Sequence, residues 1–154
     1  MNHSDTLSSP GGLVPEPALP APGSFFAWIA AARLKTLPAG AAPVMVGTAV
    51  AAAEGHFSAL PALAALLGAL WIQVGTNFAN DLFDYLKGAD TEERAGPVRV
   101  TQAGLLSQRQ VTAGVIVSFA IASLCGVYLI SVAGWPIVAI GIASILSGIA
   151  YTGG

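Results

Sequence analysis

Apolar residues in this chain come in long blocks rather than in alternation, and the polar positions crowd into short gaps between them. From Gln110 to Gly154 there is no Asp, Glu, Lys or Arg. That run is about twice the ~20 residues one membrane-spanning helix needs. It predicts two spans, broken near Ser131–Pro136 (SVAGWP), where a glycine and a proline punctuate the pattern. Upstream, Gly55 to Asn80 carries no formal charge and predicts another span. Pro61 falls near its first turn, where a missing N–H does no harm. A weaker block, Leu37 to Ala53, is rich in Ala and Gly and interrupted by Pro38 and Pro43. The pattern predicts four helices, with Gly88 placed to end the second.

Composition turns that pattern into a class. Hydrophobic residues make up 55% of the chain and charged ones 9%, with a mean hydropathy of +0.72. Ordinary soluble domains carry about 25% charged residues. The expected fold class is therefore an all-α membrane protein, with the lipid bilayer as its surroundings and nucleic acid not among its partners. Residues 1–24 (MNHSDTLSSPGGLVPEPALPAPGS) are polar and rich in Pro and Gly, without the basic start and apolar core of a signal peptide. They predict a disordered tail ahead of a membrane domain over 25–154. Cys125, the sole cysteine, lies in an apolar run, which excludes an internal disulfide and fits a buried, inert thiol.

Charge then orients the chain. Arg33 and Lys35 precede the first span, and Lys87, Arg94, Arg99 and Arg109 all fall in the connection 87–109 between spans two and three. The turns around Glu54–His56 and SVAGWP contain no Lys or Arg. Basic loops remain in the cytoplasm. The N-terminus, the long connection and the C-terminus are thus expected on the cytoplasmic side of the plasma (inner) membrane.

The same region holds the candidate chemistry. Of the chain's 14 charged residues (6 basic and 8 acidic), nine lie between Asp81 and Arg109. On a helical wheel at ~100° per residue, Gln73, Asn77, Asn80, Asp81 and Asp84 share an arc of about 100°. Two carboxylates one turn apart need a compensating cation where water is scarce. Carboxylates with amide oxygens suit Mg²⁺, which typically takes one or two acids plus substrate phosphates. The guanidinium forks of Arg94 and Arg99 suit phosphate oxygens. Together these residue types describe a site for a diphosphate. Glu92 and Glu93 do not align with the arc and read as solvated loop acids, and Lys87 as a snorkelling residue. Arg33 and Lys35 either mark topology or reach the same cytoplasmic pocket.

The run Asn77–Asp84 (NFANDLFD), Gly88–Thr91 (GADT), then Arg94, Gly96-Pro97, Arg99, Gln102 and Gly104-Leu105 resembles the UbiA superfamily of intramembrane prenyltransferases. The match is closest to its menaquinone branch, whose acceptor is 1,4-dihydroxy-2-naphthoate. Arg33–Leu37 (RLKTL) with PAGAAPVMVGTA looks like that branch's first-helix signature, and Tyr151–Gly154 (YTGG) like its fourth-helix motif. The resemblance implies Mg²⁺-dependent transfer of a polyprenyl chain from a prenyl diphosphate to an aromatic acceptor, giving demethylmenaquinone in the naphthoate case. It implies diphosphate binding through Mg²⁺ at Asn77, Asn80, Asp81 and Asp84, with Asp90 contributing from the loop and Asn77, Asp81 and Asp84 as the metal ligands. It places Arg94 and Arg99 near the diphosphate and Tyr151 near the reacting centre. Ionisation of the allylic C–O bond, attack by the ring on the carbocation and loss of CO₂ would follow.

The family has about nine helices and a second Asp-rich motif. No second acidic cluster follows Glu93 here, so the chain reads as the N-terminal half of such an enzyme, inactive alone. Two other readings stand beside it: the same fold with 4-hydroxybenzoate, homogentisate or haem as acceptor, and a small ion-binding transporter using Asp81 and Asp84.

Overall fold

A computed structural model describes residues 19–88 and 99–153, and all their regular structure is helical. Ser24 starts α1 (Phe25–Ala32), its hydroxyl accepting from the Ala27 N–H at 3.2 Å. A 3₁₀ turn, Leu34–Thr36, leads into α2 (Leu37–Ala53). Between them Arg33 adopts a left-handed conformation, φ 49°, which is rare for a residue with a side chain. Then come α3 (Ala59–Lys87), α4 (Gln108–Ala133) and α5 (Pro136–Gly153).

The predicted helices are therefore present, with two refinements. Leu37–Ala53 forms as expected, Pro43 included, but the first span is preceded by α1. Three segments, Phe25–Ala53, α3 and α4, are long and apolar enough to cross a membrane, and α5 is a shorter apolar helix. Gly88 caps α3 in the left-handed region, φ 59°. Gly134 and Pro136 separate α4 from α5 at the predicted break.

Length explains where polar groups can sit. At 1.5 Å per residue the 29 residues of α3 extend ~43 Å, beyond a hydrocarbon core of about 30 Å. Its last two turns can therefore leave the acyl region, and these carry the acids. Each of the other four helices packs against α3, and α4 also meets α5. In lipid such contacts depend on close packing rather than on expulsion of water. Gly114 of α4 admits the rings of Phe78 and Trp28, which would lie 3.0 and 3.1 Å from a Cβ there. Those two rings meet edge to face, centroids 5.8 Å apart. Gly148 of α5 sits closer still to Thr76 of α3, whose Oγ1 would lie 2.6 Å from a Cβ there.

A buried apolar cluster lies where the end of α3 meets α1 and the start of α4. Ala27 and Ala31 from α1, Phe78 from α3, Val111 from α4 and Val100, Leu105 and Leu106 from the connecting segment form one cluster. Leu105 N–H and Leu106 N–H both donate to the Val100 carbonyl, at 2.9 and 3.2 Å, folding 99–106 into a compact turn. Gly23 N–H donates to the Leu105 carbonyl at 2.7 Å, pinning that turn beneath α1. Ser107 then opens α4 with a reciprocal capping pair to Gln110.

Candidate active site

Four of the residues singled out in the sequence converge at the end of α3. Arg99 forms an ion pair with Asp84. With the Asn80 amide turned so that its oxygen faces the guanidinium groups, that oxygen accepts from Arg33 Nη1 at 3.2 Å and Arg99 Nη1 at 2.8 Å. Arg33 comes from the α1–α2 junction, Asn80 and Asp84 from α3, and Arg99 from the turn before α4. Asp84 and Arg99 keep 17% and 16% of their side-chain surface exposed, enough for a ligand to reach them.

The remaining polar members of the arc face inward. Asn77 is buried, and its Nδ2 donates to the Ala32 carbonyl at 2.7 Å and to Thr36 Oγ1 at 2.8 Å. Thr36 Oγ1 also accepts from Gln73 Nε2 at 3.3 Å and donates to the Arg33 carbonyl at 2.9 Å. This web ties α3 to both sides of the left-handed Arg33, which sets where the guanidinium points. Asp81 is 2% exposed. Its Oδ1 accepts from Val100 N–H at 3.1 Å, and its Oδ2 accepts from Thr101 N–H at 3.1 Å and from Thr101 Oγ1 at 2.5 Å. Asn77 and Asp81, both expected among the metal ligands, thus have their side chains engaged by the chain itself.

Lys35 is exposed. Tyr151 is also exposed, at 86%, on the last turn of α5. Gly148 lies at the level of Thr76, so Tyr151 stands about 4.5 Å further along, at the site end of the bundle. Asp90 and Arg94 lie outside the described residues, as do Glu92 and Glu93. Sequence reasoning did not single out Thr36 or the Val100–Thr101 amides. Backbone donors have no sequence signature, and a lone threonine in RLKTL has no pattern to betray it.

Among the described residues no three His, Cys, Asp or Glu side chains cluster to form a protein-only metal cage. The donor chemistry nevertheless fits magnesium. That ion needs only one or two carboxylates when phosphate oxygens complete its shell, and Asp84 offers one whose present counter-charge is a side chain, Arg99. Two guanidinium groups and a carboxylate are thus gathered at one end of an apolar bundle, a donor set whose forked N–H groups suit phosphate oxygens.

Helix length, apolar composition and the charged cluster together define a multi-pass membrane protein with its polar residues gathered at one end of the bundle. The chain belongs to the UbiA prenyltransferase family, which matches residues 40–154. It is similar to proteins named 1,4-dihydroxy-2-naphthoate octaprenyltransferase. The Escherichia coli protein is 38% identical over 134 residues, covering 83% of this chain and 44% of its own length. The Mycobacterium tuberculosis protein is 37% identical over 131 residues, covering 85% and 44%. The Bacillus subtilis protein is 34% identical over 122 residues, covering 79% and 39%. This chain thus spans less than half the length of those relatives. No solved structure matches it.

Proposed function

We propose that this chain supplies the diphosphate-binding half of a magnesium-dependent enzyme that transfers a polyprenyl chain from its diphosphate to 1,4-dihydroxy-2-naphthoate, giving demethylmenaquinone. The observation that carries the reading is the meeting of Arg33 and Arg99 on Asn80, with Asp84 paired to Arg99, at one end of an apolar helix bundle. The names of the similar proteins support the naphthoate acceptor.

Arg33 and Arg99 bind phosphate oxygens through their forked N–H groups and stabilise the charge that grows on the departing diphosphate. Asp84 would hold the metal, with Asp90, outside the described residues, a second candidate. Magnesium, when bound, neutralises further diphosphate charge. Arg99 exchanges its carboxylate partner for phosphate as substrate arrives, so neither charge is stranded. Asn80 keeps the two guanidinium groups a fixed distance apart. Apolar helix faces exclude water from the allylic centre, and Tyr151 borders it from α5. The excess of Lys and Arg at this end supports a site on the cytoplasmic side of the inner membrane.

The test uses membranes carrying the gene's full product, a polyprenyl diphosphate, Mg²⁺ and, separately, dihydroxynaphthoate, 4-hydroxybenzoate and homogentisate. Prenylated product is expected with the naphthoate alone. Product from another acceptor only would replace this substrate assignment, and no product from any would remove it.

A further inference from the structure

Asp81 stands in the acidic run that first draws attention as a metal site, yet the structure uses it differently. Both of its oxygens reach the backbone of the segment that precedes α4. They accept from two consecutive backbone amides, Val100 and Thr101, and from the Thr101 hydroxyl. Val100 has none of its surface exposed and Asp81 only 2%. A carboxylate receiving three hydrogen bonds in such burial is strongly held. The residue immediately before this clip is Arg99, which meets Asp84 and Asn80.

We infer that Asp81 is a positioning residue and not a metal ligand: it clips the Val100–Thr101 backbone to α3 and thereby fixes Arg99 over Asp84 and Asn80. The geometry explains why an acid is used here. An asparagine in its place would keep one acceptor oxygen but turn an NH₂ group toward the other backbone donor, so a single amide cannot satisfy both ends of the clip. The apolar contacts of Val100, Leu105 and Leu106 hold the turn under α1, but they do not set the register that brings Arg99 to Asp84. The consequence for binding rests on the diphosphate reading above, whereas the clip itself does not.

Two measurements on the chain in lipid nanodiscs separate these statements. The first is amide hydrogen exchange. In Asp81→Asn the Val100 and Thr101 amides are expected to exchange at least ~10-fold faster, since a lost charge-assisted bond has at least that equilibrium value. Amides around Phe78 keep their protection, which shows that α3 remains folded. Unchanged protection at Val100 and Thr101 overturns the clip.

The second measurement is affinity for Mn²⁺-pyrophosphate, with Mn²⁺ as a paramagnetic stand-in for magnesium. Arg99→Gln is expected to weaken it about tenfold or more. Because Asp81 acts through Arg99, adding Asp81→Asn to Arg99→Gln costs less than about a further twofold. Thr101→Val, which leaves α3 intact, is expected to weaken binding measurably, and only when Arg99 is present. Multiplying losses in the double variant, or an Asp81→Asn loss with Thr101→Val silent, would make Asp81 a ligand and overturn the proposal. If even the unmodified chain ignores Mn²⁺-pyrophosphate, the diphosphate reading fails while amide exchange still decides the clip.

Discussion

Arg33 is the residue where backbone strain and chemistry meet. Its left-handed φ of 49° costs about 1–3 kcal/mol for a residue with a Cβ. The hydrogen bonds of Asn77 and Thr36 around it hold that conformation and aim its guanidinium at Asn80. Arg33→Gly removes the strain and the guanidinium together. It is expected to leave the melting temperature in detergent undiminished while weakening pyrophosphate binding roughly 10-fold or more, the value of a charged hydrogen bond. Calorimetry on the two proteins, with and without pyrophosphate, checks both halves. Asp84 and Glu92 give a second contrast at this scale. Asp84→Ala in the full enzyme is expected to abolish turnover and blunt its response to Mg²⁺, whereas Glu92→Ala changes little. Equal tolerance of the two in a magnesium titration of activity would move the metal site elsewhere.

Among the elements, α3 connects everything else, and its two halves do so by different physics. Toward its start, glycine and alanine let neighbouring helices approach, as lipid provides no hydrophobic drive between them. Toward its end, buried polar side chains reach the α1–α2 junction and the turn before α4. Gly114→Leu is expected to force Phe78 and Trp28 apart, costing about 1–3 kcal/mol through overpacking. A fall in melting temperature and a change in tryptophan emission would register it. Asn77→Leu, similar in size, leaves the Ala32 carbonyl and the Thr36 hydroxyl without that donor. A loss of roughly 1–3 kcal/mol is expected where those groups stay buried, together with weaker pyrophosphate binding as Arg33 loses its support. Retained binding in Asn77→Leu would mean that Arg33 is aimed by something else.

At the level of the whole molecule, the α1–α2 junction, the end of α3, the start of α4 and the end of α5 share one end of the helix bundle, the end that the Lys and Arg pattern predicts to be cytoplasmic. The turns at Glu54–Gly55 and Gly134–Trp135 share the other. A thiol scan in a Cys125→Ala background tests this directly. Lys35→Cys and Gln108→Cys are expected to react with an impermeant reagent only from the cytoplasmic side, and Glu54→Cys and Trp135→Cys only from outside. Labelling of both pairs from one side would dismantle the four-pass arrangement. An apolar groove of about 470 Å³ between α2 and α3, lined by Val44, Met45, Thr48, Phe57, Leu63 and Leu66, lies toward the outer turns. It is remote from Arg33 and Asp84 and offers them no second polar site.

Much of this was legible without coordinates, because a bilayer simplifies the problem. Backbone groups in hydrocarbon must bond within their own helix, so an uncharged block of sufficient length is already a helix. The breaks at Gly88 and SVAGWP and the polar arc on α3 needed nothing further. What a wheel could not show is which members of that arc face a ligand and which face the protein. Gln73, Asn77, Asn80, Asp81 and Asp84 look equivalent within about 100°, yet Asn77 and Asp81 are taken up by the chain's own carbonyl, amides and hydroxyls.

The sequence by itself determined that this is a helical membrane protein, where its helices break, where along the chain its charge gathers, and which family it resembles. Tertiary structure alone decided the division of labour among the acids and arginines. Arg33 and Arg99 are far apart along the chain and meet on Asn80 only because the Val100 turn packs beneath α1 and Asp81 holds its backbone. Helical periodicity is local and fixes a face, whereas hydrogen bonds to a distant backbone depend on the fold that delivers it.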